Sequence, residues 1–241
     1  MNRYILIVLG VCNVFAMSNK PNTVHPIFKG DFKTYIQKLK EVKVTEEPLV
    51  FKPQSMGAKP KWPSGAYNDL KISNKHFQDV EFDDWADFEE VVFNNVIFEN
   101  MNFTYITFKN VTFINCQFIN ITTGRNTEFT KVKFIHSKIM DSKIINEGLP
   151  HSPLVKFTAC RFTHTLFENN SFFGVWFRDY SYFTNTDFIN NELINTSMLL
   201  SYFKDVVFKD NTYDPSIVSQ FLKSITSMFQ LSIEGFDIRA S

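Results

Sequence analysis

The chain has little of the material from which most catalytic and nucleic-acid-binding sites are built. Its 241 residues include only 3 Cys, 8 Gly and 9 Pro, and 25 basic side chains are balanced by 25 acidic ones. Zero formal charge removes the long-range attraction that drives nucleic-acid binding, so no nucleic-acid partner is expected. No Gly-rich phosphate loop, nucleophile elbow or Cys pair occurs. The five His residues, His25, His76, His136, His151 and His164, show none of the close spacings of zinc ligands. The acidic run Glu81, Asp83, Asp84, Asp87, Glu89 and Glu90 reads as a solvated face, since most of its members fall at outward positions of the repeat described below. The expected catalytic residues, cofactor-binding residues and metal ligands are therefore none, and so are the cofactors.

Long apolar runs are also missing, apart from one at the start. Arg3 precedes the run Ile5 to Phe15, and Val14 and Ala16 supply small residues at the −3 and −1 positions of a cleavage site. This is the pattern of a secretory signal peptide over residues 1–16. The run is shorter than the roughly 20 residues of a membrane span, and Asn13 interrupts it. The mature chain, from about Met17, is expected without a transmembrane helix, secreted or in the secretory-pathway lumen. Five Asn-X-Ser/Thr triplets, headed by Asn102, Asn110, Asn120, Asn169 and Asn195, are candidate N-glycosylation sites in that compartment.

What the chain does have is phenylalanine, 28 of them, and they repeat. Phe88, Phe93, Phe98, Phe103, Phe108, Phe113 and Phe118 are five residues apart. Phe129, Phe134, Ile139 and Ile144 resume the period. A second array runs Phe157, Phe162, Phe167, Phe172 and Phe177, slips by one residue, and continues from Phe183 through Phe188, Leu193, Met198, Phe203 and Phe208 to Tyr213. Two residues before these anchors stand small or medium side chains such as Val91, Val96, Cys116, Ser137, Cys160, Thr165 and Val206.

A period of five fits neither a helix at 3.6 nor a strand at 2. It fits a square coil in which each pentad makes one side and a corner, with the anchor and the residue two before it turned inward. Four pentads close a coil, and coils stack at about the 4.8 Å strand spacing. The expected fold is an all-β solenoid, and the sequence resembles the pentapeptide-repeat family of right-handed quadrilateral β-helices. Asn often stands two after the anchor, as at Asn95, Asn115 and Asn190, which reads as corner chemistry rather than a ligand-binding ladder.

The expected organisation is a signal peptide over 1–16, an N-terminal cap and connector over 17–74, the pentapeptide β-helix over 75–213, and a C-terminal capping helix and tail over 214–241. Within the cap segment, Phe32, Tyr35, Ile36 and Leu39 suggest a short helix over 31–41, and four prolines make 48–66 an irregular connector. A phase break across Gly148, Pro150 and Pro153 predicts a loop near 147–153, and another at Thr122 to Gly124 predicts a bulge. Asp214 and Pro215 followed by an apolar stripe from Ile217 to Phe229 predict the helix that covers the last coil. After signal removal only Cys116 and Cys160 remain, about two coils or roughly 10 Å apart, so both are expected as free thiols.

The stretch Phe113 to Phe134, FINCQFINITTGRNTEFTKVKF, resembles the luminal domain of synaptic vesicle glycoprotein 2, as does Ile27 to Lys40. In that family the domain is a docking surface, including for botulinum neurotoxins that pair with an open strand edge. The chain lacks the family's transporter helices, has Lys131-Val132-Lys133 where the family has a glycan sequon, and Leu149 where it has a Cys. The implied function is a secreted or luminal, non-enzymatic binding or scaffold module for an extracellular or luminal protein or glycan. The bulge and the resemblance together nominate a partner-binding edge comprising Gly124, Arg125, Glu128, Thr130, Lys131 and Lys133. The alternatives are a carbohydrate-active β-helix enzyme and a topoisomerase-inhibiting DNA mimic, the latter requiring an acidic surface in the cytosol.

Overall fold

The computed structural model describes residues 61–82, 84–124, 126–145, 155–198, 201–214, 231–234 and 237–238. Among them every regular element is a β-strand, from Lys61–Trp62 to Asp237–Ile238. The strands pair in parallel and in register with the pentad: Phe88 lies beside Phe108, and Phe108 beside Phe129. One coil therefore takes 20 or 21 residues, or 28 where Phe129 pairs with Phe157 across an inserted segment, and about seven coils stack into a solenoid. A six-stranded sheet forms the first face and a seven-stranded sheet the fourth. An eleven-stranded sheet wraps the second and third faces, because strands such as Lys71–Gln78 and Tyr182–Ile189 run through their shared corner.

The pentad explains this shape residue by residue. Along a strand successive side chains alternate, so the anchor and the residue two before it point the same way, inward. The residue two after the anchor turns the corner by adopting positive φ: 58° at Asn95, 54° at Asn110, 52° at Asn115, 55° at Asn190. Asn and Asp reach this left-handed conformation more readily than other non-glycine residues, which accounts for the recurrent Asn as corner chemistry.

Inside, the anchors form four ladders. On the first face Phe88, Phe108, Phe129, Phe157 and Phe177 stack with centroid separations of 5.2, 5.0, 4.5 and 4.8 Å. On the second, Phe93, Phe113, Phe134, Phe162, Phe183 and Phe203 stack at 4.7 to 5.1 Å. Each buried Phe contributes about 1.5–3 kcal/mol and each ring pair about 0.5–1.5 kcal/mol more. The ladders weaken where Thr123, Ile139 and Ile144 replace Phe, leaving an apolar internal cavity of about 20 Å³.

Where the residue two before an anchor is polar, Ser201 excepted, its side chain serves the backbone; elsewhere, as at Val91, Val96 and Val206, it is apolar. Ser137, Thr165 and Thr186 donate to the carbonyls of Phe113, Phe134 and Phe162, one coil below, at 3.2 to 3.4 Å. Cys116 and Cys160 occupy the same position and donate through sulfur to Phe93 and Phe129 at 3.4 and 3.2 Å. Both cysteines are free and buried, and burial pushes their thiols up to about 12. On the fourth face the position is filled by Asn170, Asn191 and Asn211, a buried amide ladder. The Asn170 Nδ2 donates to Asn191 Oδ1 at 3.0 Å, and the Asn191 Nδ2 to Asn211 Oδ1 at 3.0 Å.

Two boundaries differ from the sequence reading. The coil begins at Lys61 rather than Lys75: Trp62, Tyr67 and Ile72 are buried anchors in phase with the repeat, inside the segment read as cap and connector. Their mixed chemistry hides a period that Phe announces elsewhere. At the other end, Leu231–Glu234 and Asp237–Ile238 are not a tail but strands pairing with Val206–Lys209 and Thr212–Tyr213. The helices expected over 31–41 and 217–229, and the loop near 147–153, lie outside the described residues.

Candidate interaction surface

Every outward pentad position adds to one of four flat faces, so a site on this molecule is a pattern of exposed side chains along registered columns. The nominated edge does not have the backbone it needs. Thr127–Thr130 pairs with Ile106–Lys109 on one side and Val155–Thr158 on the other, and Lys133–Ile135 lies between Thr112–Ile114 and Arg161–Thr163. The Lys131 N–H donates to the Thr158 carbonyl and the Lys133 N–H to the Val111 carbonyl, at 2.8 and 2.9 Å. No strand can add to a ladder already paired on both sides. The bulge is absorbed at a corner, where Gly124 is buried so close to Thr104 that an added Cβ would meet its Oγ1 at 2.5 Å. Arg125 lies outside the described residues. Glu128 is ion-paired to Lys156 at 2.7 Å, Thr130 is half-buried, and Lys131 and Lys133 are exposed. The five sequon asparagines, Asn102, Asn110, Asn120, Asn169 and Asn195, are all exposed.

The side chains that stand out are aromatic rings where the repeat expects polar ones. Tyr180, Tyr182 and Tyr202 are 52, 41 and 45% exposed, and Trp176 is 36% exposed. Tyr182 and Tyr202 are in register on neighbouring coils, their rings stacked at 4.9 Å and 8°. The Arg161 guanidinium lies 5.5 Å from the Tyr182 centroid, and Arg178 covers Trp176 at 5.3 Å. Lys133, Arg161, Tyr182 and Tyr202 thus form one outward column of the second face. Beside it, across the corner of Lys131, lies the column Glu128, Lys156 and Trp176 of the first face. A separate ring, Phe173, is 47% exposed between Ile145 and Ile194 on the fourth face.

Sequence reasoning missed this surface, although a signal was present. Tyr182 and Tyr202 each immediately precede an anchor, an outward slot, and an exposed ring there breaks the polar rule twice in succession. Among the described residues no group of three or more His, Cys, Asp or Glu side chains could hold a metal ion, and no helix is long and apolar enough to cross a membrane. The internal cavity has the room of about one water molecule and only apolar lining, so it is not a ligand site.

Four faces of parallel strands with an inward anchor every fifth residue define a pentapeptide-repeat β-helix. Comparison with solved structures returns matches of low identity and low TM-score. No family model and no curated protein matches the chain. QnrB1, a plasmid-mediated fluoroquinolone resistance protein, matches 74% of this chain and 92% of its own at 10% identity and a TM-score of 0.37. HetL, a pentapeptide repeat protein of the cyanobacterium Nostoc involved in heterocyst differentiation regulation, matches 74% of this chain and 87% of its own at 6% identity and a TM-score of 0.37. The alginate lyase AlyGC, of family PL6, matches 87% of this chain but 39% of its own at 9% identity and a TM-score of 0.27.

Proposed function

We propose that the chain is a secreted or luminal, non-enzymatic binding module that presents a rigid β-helix surface to an extracellular protein or glycan. The observation that carries this reading is the exposed pair Tyr182 and Tyr202, stacked on each other with Arg161 against Tyr182. Aromatic and Arg side chains held rigid at a surface are the usual anchors of recognition. The signal-like N-terminus, the exposed sequons and the resemblance of Phe113 to Phe134 to the luminal domain of synaptic vesicle glycoprotein 2 support the compartment. The DNA-mimic reading draws on one feature, the acidic residues Asp79, Glu81, Asp84, Asp87, Glu89 and Glu90 of the first coils. Lys109, Lys131, Lys133 and Lys156 interrupt that charge further along, whereas a DNA mimic needs it along its whole length.

Expression of the full chain in secretory cells tests the reading. The expected outcome is protein in the medium with its N-terminus near Met17 and a mass that falls on enzymatic removal of N-glycans. An unprocessed, unglycosylated chain retained in the cytosol would overturn it and favour the mimic.

A further inference from the structure

We infer that the corner between the first and second faces, from Lys131 and Lys133 up to Tyr202, binds an anionic glycan through recurring sulfate or carboxylate groups. The inference rests on the binding-module reading and gives its ligand a chemical class. Charge is the first argument. In a chain of zero net charge, residues 61–99 carry nine acidic side chains against three basic ones, while further along Lys131, Lys133 and Arg161 are exposed and enter no ion pair among the described residues. They are distinct from Lys156, which Glu128 neutralises at 2.7 Å, and from Arg178, whose Nε lies 4.0 Å from Asp179. Three cations on adjacent coils, none in an ion pair among the described residues, favour an anion supplied from outside.

Ring geometry is the second argument. Tyr182 and Tyr202 lie face to face along the solenoid axis, and Arg161 covers the other face of Tyr182. At Tyr182 solvent therefore meets the ring edge and phenol hydroxyl rather than an open face. The column offers O–H and N–H donors, which suit anionic oxygens. The third argument is repetition. Lys133, Arg161, Tyr182 and Tyr202 follow one another at successive coils, about 4.8 Å apart, so the column spans about 14 Å. A linear ligand with repeated acidic groups can use all of it, whereas a single ion cannot. Because the strands beneath Lys133, Arg161 and Tyr182 are paired on both sides, those donors are held in place before the ligand arrives.

Titration of the purified full-length mature chain with a heparin-derived oligosaccharide, its fully desulfated counterpart and a single-stranded oligodeoxythymidine of similar charge tests the inference. The sulfated sugar should bind, and the desulfated one should bind at least about tenfold more weakly. Arg161→Gln and Lys133→Gln should each weaken binding about tenfold, the loss of one charge-assisted contact. Tyr182→Phe, which removes only the hydroxyl, should weaken it measurably, while Lys143→Gln on the fourth face should bind like the parent. All four variants should keep the parental melting temperature. The inference is overturned if no oligosaccharide binds, if the desulfated sugar or the oligodeoxythymidine binds equally well, or if the corner variants bind like the parent. The assay is independent of cellular location, so a secreted chain that ignores the sulfated sugar refutes this surface alone. A cytosolic chain that binds it refutes only the location.

Discussion

Two residues before each anchor, the side chain must fit beside the Phe ladder, and where it is polar it must meet the carbonyl beneath it. Ser181 does both: its hydroxyl donates to the Phe157 carbonyl at 3.2 Å and accepts from the Cys160 N–H at 3.3 Å. Ser201 stands one coil on in the same column, also buried, yet its Oγ has no partner among the described residues. A buried hydroxyl without a partner carries a desolvation cost of about 1–3 kcal/mol, whereas a paired one contributes about 0.5–1.5 kcal/mol. The two serines should therefore respond oppositely to the same change. Ser181→Ala is expected to destabilise by about 1–2 kcal/mol and Ser201→Ala to be neutral or to stabilise by up to about 1 kcal/mol. Denaturant midpoints measured at constant m-value check this, and equal losses in both variants would show that the column is not governed by hydrogen bonding. Cys116 and Cys160 belong to the same series, acting as weak donors in place of Ser. With their thiols pushed up to about 12 they are not nucleophiles at neutral pH.

At the scale of the pentad, the corner is the element that sequence choice tunes. Ala159 holds a φ of 52° between Lys131 and Asp179, in a column where neither neighbour is glycine. Alanine has no side-chain hydrogen bond to offset the left-handed conformation, which costs an L-residue about 1–2 kcal/mol. Ala159→Asn should recover part of that, raising stability by about 0.5–1 kcal/mol, and the readout is the shift in thermal midpoint. A lower midpoint would mean that the corner is limited by packing and not by φ. The same element explains what could be read from the chain beforehand. The Phe period exposes the coil because an inward ring every fifth residue has no other regular geometry, and recurrent Asn marks the corners for the reason just given. The first coils escaped because Trp62, Tyr67 and Ile72 fill the anchor slot without repeating one residue type. The bulge at Thr122 to Gly124 was visible as a spacing of eleven between Phe118 and Phe129, but spacing does not reveal that both neighbouring coils remain paired across it. The Tyr182 column was hidden differently: its rings are spelled out in the sequence, and only the register shows that they stack on each other and on Arg161.

A stack of coils is nearly one-dimensional, with each coil held by its neighbours and each end a row of unpaired strand groups. The described C-terminal end is closed by Leu231–Glu234 against Val206–Lys209 and by Asp237–Ile238 against Thr212–Tyr213, six residue pairs of parallel ladder. Ending the chain at Asp214 would remove both strands and leave the last long strand, Tyr202–Lys209, open along that edge beside the buried rungs Phe203, Phe208 and Tyr213. Several lost backbone hydrogen bonds at about 0.5–1.5 kcal/mol each amount to a large fraction of the 5–15 kcal/mol that holds an ordinary domain folded. Even a chain that survived thermodynamically would present a template for pairing with a second copy. The truncated protein is expected to melt several degrees lower and to elute as oligomers or aggregate on size exclusion, while the full mature chain elutes as a discrete species. A monomeric truncation with an unchanged melting temperature would show that the coil at Tyr213 needs no cover from the residues beyond it.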